Sequence, residues 1–130
     1  MADRWQAQYD FWSSFNLPAF NENTSIEANE QDVPYPHLTY LPNGGSFDVP
    51  FQTHASLWYR SESWKDISQK ADEIEEYIGQ GITLPIDDGI IWIKPPTSVP
   101  FAQPMATGQD DKQIKRIYLT VGVEIINTMR

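Results

Sequence analysis

The sequence predicts an α+β domain: a two-layer, mostly antiparallel sheet of about four strands, in the order α-β-β-α-β-β, with two helices packed against it. Three stretches carry that prediction. In 51–60, Phe51, Ala55, Leu57 and Tyr59 alternate with Gln52, His54, Ser56 and Arg60. That is the period of a half-buried strand, and Trp58 is the one exception on its polar side. In 64–78 the period changes: Trp64, Ile67, Ala71, Ile74 and Ile78 recur every three or four residues, along one stripe of a helix. In 116–125, Ile117, Leu119, Val121, Val123 and Ile125 alternate with Arg116, Tyr118, Thr120, Gly122 and Glu124.

The remaining elements follow in chain order. Residues 3–16 read as a helix with Asp3 as its N-cap. Trp5, Tyr9 and Trp12 share one face, and Gln8, Phe11 and Phe15 extend around one side. The resulting arc is wide, about 160° at ~100° per residue, and fits a helix buried on two sides, by its own sheet and by a neighbouring subunit. Pro18 ends the helix, because the residue before a proline is pushed out of the helical region. Residues 19–36 show no sustained period and form an 18-residue connection rich in acids and amides. Pro34 and Pro36 flank Tyr35 ahead of a short strand at 37–41. Pro42-Asn43-Gly44-Gly45 is a turn signal that makes a hairpin with 51–60.

The second helix has Ser61 or Ser63 as N-cap, Asp66 as a shortened capping box, and Asp66 with Lys70 as an i,i+4 pair. Gly79 stands where a left-handed C-terminal residue is wanted, and Gly81 follows. Asp87-Asp88-Gly89 is a turn, and 90–93 is a short apolar strand closed by Lys94-Pro95-Pro96. Residues 95–111 form a second long loop. One domain spanning residues 1–130 is expected.

A net charge of −9 with nine Lys and Arg opposes binding through phosphate neutralisation. Such acidity suits plain solubility, or a surface that DNA passes without sticking. With no cysteine, neither a disulfide framework nor a thiolate metal site exists, and a reducing compartment is the easier setting. The amino terminus lacks a signal-peptide pattern, and no apolar stretch approaches the ~20 residues that span a bilayer. His37 and His54 both fall on predicted strands, and no serine sits in a Gly-x-Ser-x-Gly elbow. Asp87-Asp88 and Asp110-Asp111 are adjacent carboxylates in glycine-flanked loops, which are turn formers first. Neither an EF-hand nor a P-loop spacing is present. No catalytic, metal or cofactor site is therefore expected.

What remains is a surplus of aromatics, five Trp, six Tyr and six Phe. Trp58 and Tyr118 lie on the polar faces of their strands, and Tyr77 lies off the helical stripe. Aromatic residues are enriched at the centres of protein interfaces. Alternatively, the first helix covers that sheet face with Trp5, Tyr9 and Trp12. Gly122 on the same face leaves room for a backbone or ring to approach. The candidate subunit or partner interface comprises Trp5, Tyr9, Trp12, Trp58, Arg60, Tyr77 and Tyr118.

A set of ordered fragments covers most of the chain. An aromatic amino-terminal helix leads to Leu17-Pro18-Ala19-Phe20 and an Asn/Glu-rich stretch. Then come Pro34-Tyr35-Pro36-His37-Leu38-Thr39-Tyr40, Leu57-Trp58-Tyr59-Arg60-Ser61, and Ser63-Trp64-Lys65 with Ala71-Asp72-Glu73-Ile74. Lys115-Arg116-Ile117-Tyr118-Leu119 opens the last strand. In this order and spacing the chain resembles the tail-terminator and tail-completion (head–tail joining) proteins of long-tailed bacteriophages and prophages. The resemblance implies a non-enzymatic subunit of the virion tail, assembled in the host bacterial cytoplasm. It further implies a ring, commonly of about six copies, on the head-proximal end of the tail tube. Its partners would be itself, the tail-tube protein and a head-completion or neck protein. DNA would pass through the lumen without specific binding, and no membrane would be involved. The long loops, 18–33 and 95–112, would order on docking. A neck connector subunit or a small adaptor binding protein are the alternatives.

Overall fold

The computed structural model describes residues 3–23, 34–44, 47–107 and 112–128. Its elements are α1 (Arg4–Ser13), β1 (Ala19–Asn21), β2 (His37–Tyr40), β3 (Phe51–Arg60), α2 (Lys65–Ile78), β4 (Ile82–Ile86), β5 (Gly89–Lys94), β6 (Ala102–Met105) and β7 (Ile114–Asn127). β7 is the spine. One of its edges pairs antiparallel with β3, from Ile114↔Arg60 to Val123↔Phe51. The other edge pairs with β6 near its start and with β5 near its end, both antiparallel. The sheet runs β1-β2-β3-β7-β5-β4, with β6 off this path against β7.

This corrects the expected two-layer sheet of about four strands. Of the described residues 43% lie in strands and 22% in helices, and seven strands form a curled, mixed sheet. The mixing comes from β1, which runs parallel to β2. Three strands escaped the sequence pattern for physical reasons. β1 has three residues, too few to show a period. β4 and β6 carry Pro85 and Pro104, which cannot donate to a ladder, and each pairs with a neighbour on one side. β1 and β6 therefore occupy parts of the two stretches expected to be long loops. Asp110-Asp111, Gly45, and the docking-dependent order expected around 24–33 and 108–111 lie outside the described residues.

Strict alternation gives the sheet two unlike faces. Leu38, Tyr40, Ala55, Leu57, Ile91, Ile93, Ile117, Leu119, Val121, Val123 and Ile125 are buried in one core with Ile67, Ala71, Ile74 and Ile78 of α2. α1 adds Ala7, Phe11 and Trp12 to that core, followed by Phe15 and Leu17. α1 touches both β1 and β4, the two ends of the sheet path, and so bridges the opening left by the curl. No described helix is long and apolar enough to cross a membrane.

The helix ends show how local sequence sets the geometry. Asp3 caps α1 by accepting from the Gln6 N–H at 2.8 Å. Trp64, expected on the buried stripe, occupies the cap position of α2 with an exposed ring beneath Lys115. Ser63 Oγ accepts from the Lys65 N–H at 3.0 Å and supplies the cap that Trp64 cannot. Lys70 does not pair with Asp66 as expected. Its Nζ donates to Glu73 and, at 3.0 Å, to the Phe15 carbonyl, joining α2 to the chain just past α1. Gly79 closes α2 at φ +52°, a conformation that costs an L side chain free energy.

The β4–β5 hairpin turns on Asp87-Asp88 and lays Gly89 against β7. A Cβ on Gly89 would stand 1.8 Å from the Ile126 carbonyl oxygen, so the ladder would have to open. Gly89→Ala is expected to destabilise the fold by about 3 kcal/mol, the upper end of overpacking costs. Urea unfolding should show a lower midpoint with an unchanged slope.

Candidate subunit interface

The sheet face opposite the core is paved rather than bare. Cross-strand pairing aligns His37 with Trp58, Trp58 with Arg116, and Arg116 with Met105, a row crossing β2, β3, β7 and β6. The next row holds Thr39, Ser56, Tyr118 and Gln103. Directly opposed residues share a face, so these side chains meet. The His37 and Trp58 rings are stacked, with an 11° interplanar angle and centroids 6.1 Å apart. Trp58 Nε1 donates to Thr39 Oγ1 at 3.0 Å. The Arg116 guanidinium lies 5.0 Å from the Trp58 ring and 5.7 Å from the Tyr118 ring, and its Nε donates to Ser56 Oγ at 3.0 Å. Tyr118 stacks on His54, whose Nε2 donates to Glu22 Oε2 at 2.7 Å. Arg60 lies 5.6 Å above the Tyr35 ring, which meets the His37 ring edge-on.

The alternative in which α1 covers this face is overturned. Both helices pack into the core on the other side. The approach expected at Gly122 is made by backbone: a Cβ there would lie 3.2 Å from the Pro95 carbonyl oxygen.

A second aromatic surface lies on the helical side. Trp5 is 50%, Tyr9 44% and Tyr77 55% exposed, whereas Trp12 is 3% exposed. Trp12 therefore belongs to the core of this chain. At ~100° per residue the buried arc of α1 comprises Ala7, Gln8, Phe11 and Trp12, which leaves Trp5 and Tyr9 at its rim. The arc is held there by polar contacts. The Gln8 amide bonds the backbone of Asn43 twice, at 2.9 Å each way, and Arg4 donates to the Gly44 carbonyl at 2.6 Å. Trp5 rests against Gly44, and Arg4 sits 5.0 Å over the Phe47 ring. Tyr77 packs edge-on against Phe15, with centroids 5.5 Å apart, and faces water with the rest of its ring. Beside it Ala7, Phe11, Ser14, Leu84 and Pro85 line a groove of about 360 Å³ between α1 and β4.

Of the seven candidate residues, the structure thus brings Trp58, Arg60 and Tyr118 to the outer sheet face. Trp5, Tyr9 and Tyr77 lie on the helical side. Sequence reasoning missed Arg116 and Tyr35, yet Arg116 stands one strand position pair from Tyr118 on the same polar face. Among the described residues no group of three His, Asp or Glu side chains is placed to hold a metal ion. No known protein-family model matches this chain, and no curated protein matches it at a significant level.

His37 is buried, and its Nδ1 donates to the Pro34 carbonyl at 2.9 Å. Desolvation by burial pulls its pKa below the usual 6.5, against the smaller raising effect of that hydrogen bond. Below pH 6.5 the unfolded chain takes up a proton that folded His37 resists, so the folded state loses stability as the pH falls. His37→Phe keeps a ring against Trp58 and removes this titration. Between about pH 7 and 5 the variant should show a shallower fall in unfolding free energy, by up to ~1.4 kcal/mol per pH unit. An unchanged slope in urea titrations would refute it.

Proposed function

We propose that this chain is a non-enzymatic structural subunit of a bacteriophage tail, a tail terminator that closes into a ring on the head-proximal end of the tail tube. The ring stops tube elongation and presents a docking surface to a head-completion or neck protein. The observation that carries this reading is the placement of aromatics that reach the surface on both sides of one sheet, exposed on the helical side and half-buried on the other. Trp5, Tyr9 and Tyr77 lie on the helical side, and Trp58 and Tyr118 on the other. A ring built from one kind of subunit needs two different patches, each meeting the other patch on the next copy. Large aromatics with arginine among them are the residue types that dominate such contacts. The ordered resemblance of the sequence to tail-completion proteins supplies the biological setting. In that setting the net charge of −9 lets DNA pass the lumen without adhering.

Tail-tube protein polymerising in the presence of this chain should give short tubes capped at one end, seen by electron microscopy. Tubes of unaltered length would contradict the terminator reading, and association with a neck protein alone would favour the connector. Trp5→Ser with Tyr9→Ser should abolish capping while moving the unfolding free energy by about 1 kcal/mol or less, as expected for exposed positions.

A further inference from the structure

Arg116 is set for an anion that no described residue brings to it. Its Nε is fixed on Ser56, which is only 2% exposed, and its guanidinium lies over the rings of Trp58 and Tyr118. Among the described residues it forms no ion pair. Arg116 is half-buried, and among the described residues no fully buried side-chain donor lacks a partner, so its terminal amino groups keep some access to water. An arginine already held against aromatic rings has lost much of the rotamer freedom that binding would otherwise cost. Its outward fork matches a carboxylate through two parallel hydrogen bonds.

The complementary charge stands on α2. With Ile67, Ala71, Ile74 and Ile78 turned to the core, the opposite arc presents Lys65, Gln69, Asp72 and Glu76, all exposed, and its C-terminal half carries only the two carboxylates. Lys70 already engages Glu73, whereas neither Asp72 nor Glu76 has an ion-pair partner among the described residues. Two carboxylates at i,i+4 repel each other, and a cation brought between them removes that penalty. α2 packs on the core face of the sheet and Arg116 lies on the other. The sheet and the full ~10 Å width of the helix separate them within one chain. A second copy can bring the two groups together where one chain holds them apart.

We infer that Arg116 of one copy receives the Asp72 and Glu76 carboxylates of the next, with Trp58 and Tyr118 as the apolar floor of the contact. The inference rests on the ring reading above and names the charged pair that sets its direction. Because the two patches differ, the contact is heterologous and propagates around a ring.

Charge reversal tests it, with self-association followed by sedimentation velocity. Arg116→Glu, and separately Asp72→Arg with Glu76→Arg, should each weaken assembly by roughly 30-fold or more, the loss expected when a desolvated charge pair is broken. All three reversals in one chain should restore most of the association. Arg116→Lys, which keeps the charge without the fork, should fall between. Near-ultraviolet circular dichroism checks that each variant is folded. If Arg116→Glu does not fold, reversal at the exposed Asp72 and Glu76 carries the test alone. Wild-type rings that tolerate reversal on α2, or are not restored by the combination, overturn the Arg116 contact and leave the ring reading intact. Rings that form normally but no longer cap tubes would place the tube protein on this face, and overturn it too. A wild-type chain that stays monomeric with and without tube protein overturns both readings.

Discussion

The molecule depends on the register of one strand. β7 is paired along both edges, with β3 on one side and β5 and β6 on the other. Its odd-numbered residues from Ile117 to Ile125 enter the core, so Arg116, Tyr118, Thr120, Gly122 and Glu124 are committed to the opposite face. A slip of one residue would exchange the two sets. The burial of Leu119 and Ile125, both fully enclosed, opposes that slip. The same hydrophobic burial that stabilises the fold thus places Arg116 between Trp58 and Tyr118.

The rest of the architecture manages the ends of that sheet. A curled sheet has two terminal strands, and exposed strand edges invite unwanted pairing. α1 lies between β1 and β4, anchored by the Gln8 amide on Asn43 and by Lys70 on the Phe15 carbonyl. Pro85 and Pro104 sit in strands where a missing donor is tolerated and where it discourages addition of another strand. Aromatics remain exposed beside α1, so this corner both closes the fold and offers a surface. Tyr77, bridging from α2 to Phe15 with half its area in water, belongs to both roles.

What the sequence made legible was long-range pattern, and what it hid was local. The alternations of β3 and β7, the stripe of α2, the Asp3 cap and the Gly79 terminus could all be read, because each is a period or a steric requirement. β1 could not, since three residues show no period and its pairing partner is supplied by β2. β4 and β6 were masked by prolines that edge positions accept. Trp64 and Trp12 show the limit at single residues. Trp64 fits the α2 stripe but falls at the cap, and Trp12 shares a helix face with Trp5 yet lies within the arc that Gln8 holds against Asn43 and is buried. At the interface, the aromatics breaking the alternation were visible as exceptions. The arginine between them looked like an ordinary polar alternate, because its stacking depends on a strand sixty residues away.

The two faces of this sheet differ in kind: aromatic rings with Arg116 and Arg60 over them, beside the His54–Glu22 and Lys94–Glu124 pairs, on one side, and an acidic helix beside exposed rings on the other. On the reading proposed above, the two faces meet head to tail between copies, and the rotation from one copy to the next closes a ring. Native mass spectrometry of the wild-type chain over a range of concentrations, alone and with tail-tube protein, tests this most directly. The account predicts one discrete assembly of fixed copy number, about six by the resemblance to tail-completion proteins, in exchange with monomer. A symmetric dimer as the largest species, an unbounded ladder of sizes, or monomer alone under every condition would contradict it.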